Sequence, residues 1–206
     1  MDLELFHTPG LGDSSYLLAS GREAVLVDPQ RDAWRFIEAA EQRGWRITHV
    51  LETHVHNDYL SGALETRAAT KADIVAPARG RYEFQHRAVD EGDRVEIGSV
   101  KLTAWATPGH TPEHLAWVVA DQERGDAPTA VFSGGSLLVG SVGRTDLLGP
   151  ALWLAETPGF PARPVIAATP RVGITRAAEL PWRFALVGSP YVSRRLARAA
   201  ANTPEP

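Results

Sequence analysis

The sequence predicts an α/β protein in which two mixed sheets pack together with helices outside. Three observations lead there. Short β-prone runs are interleaved with a few amphipathic helical segments. The polar residues able to carry chemistry gather at strand ends. At 206 residues the chain is long enough for one sizeable domain, or a domain with a tail.

Leu3 to Phe6, Ser15 to Leu18 and Ala24 to Val27 read as an antiparallel meander, parted by Gly10-Leu11-Gly12-Asp13 and by Gly21. Asp28-Pro29 closes the third strand. A helix follows over Ala33 to Arg43, with Asp32 as N-cap and Ala33, Phe36, Ile37 and Ala40 spaced as one apolar face. Gly44 ends it, and Ile47 to Glu52 is the central strand. A second helix is expected from about Gly62 to Ala69, then a strand at Ile74 to Ala76. Residues 81 to 98 are polar and mixed, with a turn at Asp90-Glu91-Gly92-Asp93-Arg94. Val95 to Ile97 and Val100 to Ala106 form a hairpin about Gly98-Ser99. Leu115 to Ala120 and Ala130 to Ser133 are two more strands, and Gly134-Gly135-Ser136 opens the loop that follows.

Composition narrows the function classes. A 44% apolar share is ordinary for a globular chain, and a net charge of −4 favours neither a nucleic-acid nor a membrane partner. The absence of cysteine excludes disulfides, thiolate metal ligands and a cysteine nucleophile. Met1 to Ser20 lacks a basic start followed by an apolar core, and no apolar run is long enough to span a bilayer. A soluble, cytoplasmic protein is the expectation.

The chemistry centres on Thr53-His54-Val55-His56-Asn57-Asp58-Tyr59, which leaves the central strand. In extended backbone, side chains at alternate positions share a face, so His54, His56 and Asp58 converge. Imidazole and carboxylate are ligands for zinc, iron and manganese. A polar loop with two surface histidines is the plainer reading. Against it stands a second cluster, Thr107-Pro108-Gly109-His110-Thr111-Pro112-Glu113-His114, placed at another strand end.

The His-x-His-x-Asp loop, the Thr-Pro-Gly-His turn and the later Gly-Arg-Thr-Asp at Gly143 to Asp146 resemble, in that order, the metallo-β-lactamase superfamily. Within it the chain is most similar to glyoxalase II-like thioesterases and persulfide dioxygenases. Thr-His-Val-His-Asn-Asp-Tyr-Leu-Ser-Gly, Phe-Ser-Gly-Gly-Ser-Leu-Leu and Gly-Ser-Val-Gly-Arg-Thr-Asp-Leu look like a bacterial branch often fused to rhodanese domains. The resemblance covers about residues 1 to 150. It implies an αβ/βα sandwich and a metal held by His54, His56 and His110, with an open coordination position for water, oxygen or substrate. Asp58 then belongs to a second metal position, or binds a metal-bound water and accepts its proton. His114 matches a position that is not usually a ligand and stands behind the ligands or in the core. Arg144 and Thr145 fall where related enzymes line the substrate pocket, and Asp146 where it steadies Arg144 or a ligand histidine. The implied substrate is a small thiol, persulfide or thioester of glutathione type, and the implied partner a rhodanese-type protein.

The departures are as specific. Two-metal members carry histidine where this chain has Tyr59, and a bridging aspartate where it has Gly135. No histidine follows His114, so the last ligand of the second site is missing. That site keeps at most Asp58 and Tyr59, and a single divalent ion, zinc or iron(II), is expected. Residues 151 to 206 form a divergent segment rich in Arg, Ala and Pro, without His, Lys or Asp, and the C-terminal part of the fold is expected to be atypical. Two functional classes follow. One is a metal-dependent hydrolase or sulfur dioxygenase with Asp58 managing protons. The other is a catalytically inert relative that keeps the fold and a partial metal or ligand site.

Overall fold

The computed structural model describes residues 1–8, 13–138, 141–142 and 185–186. The expected meander opens the first sheet: β1 (Asp2–His7), β2 (Ser14–Ser20) and β3 (Glu23–Val27) pair antiparallel in sequence order. Three parallel strands then extend it: β4 (Arg46–Leu51), β5 (Asp73–Pro77) and β6 (Arg87–Val89). Each of the three parallel steps needs a crossover; helices α1 (Trp34–Gln42) and α2 (Ala63–Thr70) supply the first two, and residues 78–86 the third. The second sheet has the order β13-β10-β9-β8-β7, with β7 (Arg94–Ile97), β8 (Val100–Ala106), β9 (Leu115–Asp121) and β10 (Pro128–Phe132) antiparallel in turn. A short pair, β11 (Leu137–Leu138) with β12 (Ser141–Val142), follows, and β13 (Ala185–Leu186) pairs parallel with Ala130–Val131.

Strand alternation separates two cores. Leu18, Val25 and Val27 face the second sheet and pack with Val95, Leu102, Trp117 and Phe132. Their neighbours Leu17, Ala24 and Leu26 face the helices and pack with Phe36, Ala40 and Ala63. Each fully buried aromatic or aliphatic side chain is worth about 1.5–3 kcal/mol relative to exposure. The two-sheet sandwich with helices outside is therefore the observed architecture, the helices lying on the first sheet.

Local differences have physical causes. Asp32 does not cap α1; its carboxylate pairs with Arg35 at 3.0 Å, and the helix starts at Trp34 with no side-chain cap on its first turn. In the mixed stretch 81–98 lies β6, which the sequence hides because only Val89 of its three residues is buried. The hairpin turn at Gly98-Ser99 is as expected, with Ile97 opposite Val100 and Gly98 at φ +50°. Arg144, Thr145 and Asp146, and all of 151–206 apart from Ala185 and Leu186, lie outside the described residues.

The fold brings four chain segments to one place. β3 and β4 are parallel neighbours, so their carboxyl ends lie side by side, with the Asp28 N–H donating to the Leu51 carbonyl at 2.9 Å. The β8–β9 turn reaches the same point, where the Leu115 N–H donates to the Thr53 carbonyl at 2.8 Å. The turn after β10 arrives beside them at Gly134 and Gly135.

Candidate metal centre

Asp28 anchors the centre. It is buried and sits at φ +47°, a left-handed conformation uncommon outside glycine, and such strain gathers at functional sites. Its Oδ1 accepts the Thr53 N–H and its Oδ2 the Thr53 hydroxyl, both at 2.8 Å. The hydroxyl proton is thereby committed to Asp28. The His54 Nδ1, 2.8 Å from the same oxygen, must then be the donor, which leaves the His54 Nε2 as the basic nitrogen. Burial, reinforced by His56, pulls the His54 pKa down to about 3, so the ring is neutral and suited to ligation.

His56 is held through its other nitrogen. Nε2 lies 3.2 Å from Asp28 Oδ1, 3.4 Å from Glu52 Oε2 and 3.0 Å from the Tyr59 hydroxyl. The Tyr59 proton goes to the Asp28 carbonyl at 3.1 Å, so all three neighbours present acceptor oxygens and Nε2 carries a hydrogen. Its Nδ1 faces Asp58 Oδ1 at 4.0 Å. Burial pushes the His56 pKa down, but Asp28 and Glu52 outweigh it and lift it to about 10. In Asp28 the order is the same: burial pushes the carboxyl up, and the charge and hydrogen bond of His56 bring it below the usual range. Burial raises Glu52, whose Oε1 accepts the Ser61 hydroxyl.

Tyr59 stacks on the His56 ring, with centroids 4.3 Å apart. Burial and the surrounding carboxylates keep its phenol protonated. Asp58 and Tyr59 thus lie at opposite nitrogens of His56. Asp58, 56% exposed, shares a hydrogen bond with Asp13, whose pKa is raised to about 6 by burial and then by Asp58.

The downstream histidines pack on the same cluster. The ring centroids of His110 and His114 lie 4.9 and 4.8 Å from that of His54. A Cβ added to Gly135 would stand 2.2 Å from His110 Cδ2, so the missing side chain leaves the slot in which the His110 ring lies. Among the described residues, the three-residue group whose ligand atoms lie within 4.8 Å of one another is Asp28, Glu52 and His56; His54, His56 and His110 do not form one. Four buried polar atoms around these loops, Glu52 Oε2, His114 Nε2, Thr111 Oγ1 and the Tyr82 hydroxyl, make no hydrogen bond of normal geometry. Such atoms are seldom left unpaired, so the donor set and its surroundings fit a bound ion or polar group.

Gly134 is constrained in two ways, by its backbone conformation and by its neighbours. It has φ +49°, and a Cβ there would meet Thr53 Oγ1 at 2.4 Å and His114 Nε2 at 2.7 Å. Gly134→Ala is expected to lower stability by about 2 kcal/mol through overpacking and backbone strain, read as a lower Tm.

Asp28, Glu52 and Asp13 escaped the sequence reading. Asp28 looked like the end of a strand, Glu52 like its last residue and Asp13 like part of a turn. The available signal was position: each adjoins a strand end on the side where the His-x-His loop emerges.

The chain belongs to the metallo-beta-lactamase superfamily, whose family model matches residues 8–172, past the point where the composition changes. Proteins of that fold bind metal ions, and the cluster above is a candidate site for one. Among similar proteins, the hydroxyacylglutathione hydrolase of Cereibacter sphaeroides is 37% identical over 150 residues, 70% of this chain and 56% of that one. The hydroxyacylglutathione hydrolase of Rhodospirillum rubrum is 39% identical over 128 residues, 61% of this chain and 47% of that one. Among solved structures, a metallo-beta-lactamase from Staphylococcus aureus has a TM-score of 0.75 at 27% identity, covering 92% of this chain and 55% of that one. ETHE1 from Myxococcus xanthus has a TM-score of 0.64 at 30% identity, covering 71% and 62%. The chain spans about half the length of the curated relatives it matches. No described helix is long and apolar enough to cross a membrane.

Proposed function

We propose that this chain is a single-metal enzyme acting on a glutathione-like thioester or persulfide, with the ion held by His54, His56 and His110. The observation that carries the reading is the complementary tethering of two imidazoles. His54 is fixed through Nδ1 and His56 through Nε2, which leaves the opposite nitrogen of each ring for a ligand. Asp28, Glu52 and Tyr59 then act as the partners that orient His56, a support characteristic of metal-binding histidines. A bound divalent ion supplies Lewis acidity toward a substrate oxygen or sulfur and toward water. Asp58, exposed and paired with Asp13, is the proton acceptor. Arg144 and Thr145 bind the substrate's carboxylate end, with Asp146 and His114 supporting the pocket. Tyr59, engaged with His56 and the Asp28 carbonyl, argues for one ion rather than two. A rhodanese-type partner would supply or consume the sulfur-bearing substrate.

Elemental analysis of the purified protein tests this. About one zinc or iron per chain is expected, falling to background in His54→Ala. Hydrolysis of a glutathione thioester and oxygen uptake with glutathione persulfide then distinguish the two reactions. Metal at background in the wild type would overturn the enzyme reading in favour of the inert relative.

A second placement is favoured by one observation, the convergence of Asp28, Glu52 and His56. Glu52→Gln and His110→Ala separate the two. With the ion on the histidines, His110→Ala loses metal and Glu52→Gln retains it; the opposite pattern would move the ion to the carboxylates.

A further inference from the structure

Glu113 has no part in the chemistry described so far, yet its carboxylate reaches across 58 positions of sequence to the metal-binding loop. Its Oε1 accepts the Val55 N–H at 2.8 Å. Close by, the Thr53 carbonyl accepts the Leu115 N–H, also at 2.8 Å. These two bonds hold the two peptide units that flank His54. With both planes fixed, φ and ψ of His54 are fixed too, and the backbone sets the direction in which its imidazole leaves. One tie is made by backbone alone. The other depends on a side chain, which takes over where the chain leaves the sheet and loses its ladder partner. The turn that carries Glu113 is itself closed, by Thr107 N–H to the His114 carbonyl at 2.9 Å and Gly109 N–H to the Thr111 carbonyl at 3.1 Å. Glu113 therefore transmits the position of the second sheet to the first histidine.

We propose that Glu113 is a positioning residue that holds His54 in register for ligand binding, an inference that rests on the metal reading above. Glu113→Gln keeps a carbonyl oxygen able to accept the Val55 N–H, whereas Glu113→Ala removes it. Two measurements on the full chain test the idea. The first is hydrogen exchange of the Val55 amide in metal-free protein; the second is Zn²⁺ affinity by competition with a chromophoric chelator. In Glu113→Ala, exchange should accelerate at least about tenfold and Zn²⁺ binding weaken about tenfold. In Glu113→Gln, both should stay near wild type.

Unchanged exchange in Glu113→Ala would overturn the brace, and faster exchange with unchanged Zn²⁺ affinity would overturn its positioning role. A wild type that binds no Zn²⁺ would overturn this proposal together with the metal reading. That outcome is distinguishable, because a failed brace leaves wild-type binding intact.

Discussion

Asp28→Ala is expected to be severely destabilising, by about 3–5 kcal/mol, because it breaks a buried ion pair from one side. The substitution leaves the His56 imidazolium with Glu52 at 3.4 Å and the more exposed Asp58 at 4.0 Å. It also strips the Thr53 N–H and hydroxyl of their acceptor. Alanine further tolerates the φ of +47° less well than aspartate does. For a chain of this size the loss corresponds to a fall in Tm on the order of 10 °C. Asp28→Asn separates the causes. It retains an acceptor for Thr53 and tolerates the left-handed backbone, but it removes the charge that holds His56 protonated. Its expected loss is smaller, and the His56 ring, followed by NMR, should titrate well below its wild-type value. A Tm for Asp28→Ala within a degree or two of wild type would mean that the carboxylate cluster does not hold this centre together.

The division between what the sequence announces and what it conceals follows from the physics of each group. Strands such as Val100 to Ala106 alternate buried and partly exposed residues, and α1 repeats Phe36 and Ala40 on one face, so periodicity reveals them. The His-x-His-x-Asp loop is legible because rare residue types recur at close spacing just past a strand end; the His54 and His56 rings do meet, with centroids 4.1 Å apart, on a bent rather than an extended loop. Glu52 and Asp28 carry no such pattern. Each is one carboxylate at the end of a strand, and only the parallel pairing of β3 and β4 makes them neighbours. Tyr59 was legible as a departure from the family but not as a hydrogen-bonding lid on His56, since that role needs the Asp28 carbonyl, brought near by a contact 31 positions away. Gly135 was legible as a lost ligand. That the His110 ring lies in the space left behind is a packing fact no single sequence displays.

Metal affinity should rise steeply with pH, and His56 is the reason. In the metal-free protein its pKa is raised to about 10, so through the neutral range Nδ1 carries a proton that an ion held on the three histidines, as proposed, would have to displace. His54, with a pKa near 3, and His114, held well below the ordinary histidine value, are already neutral and release nothing. Binding at pH 7 to 9 should therefore expel about one proton from these rings, and the apparent affinity should climb about tenfold per pH unit, levelling off as pH passes the His56 pKa. Isothermal titration in buffers of different ionisation enthalpy counts the proton directly. Asp28→Asn should flatten the slope above about pH 7, because without its main counter-charge His56 returns toward the ordinary histidine range. Zero proton release at pH 8 would show that His56 does not give up a proton to the ion and would remove it from the ligand set. Glu52→Gln adds the remaining discrimination. It weakens the hold on the His56 proton, so it should raise Zn²⁺ affinity at pH 7 if the ion sits on the histidines. It should abolish binding if the ion sits between Asp28 and Glu52, so one variant read at one pH decides between opposite signs.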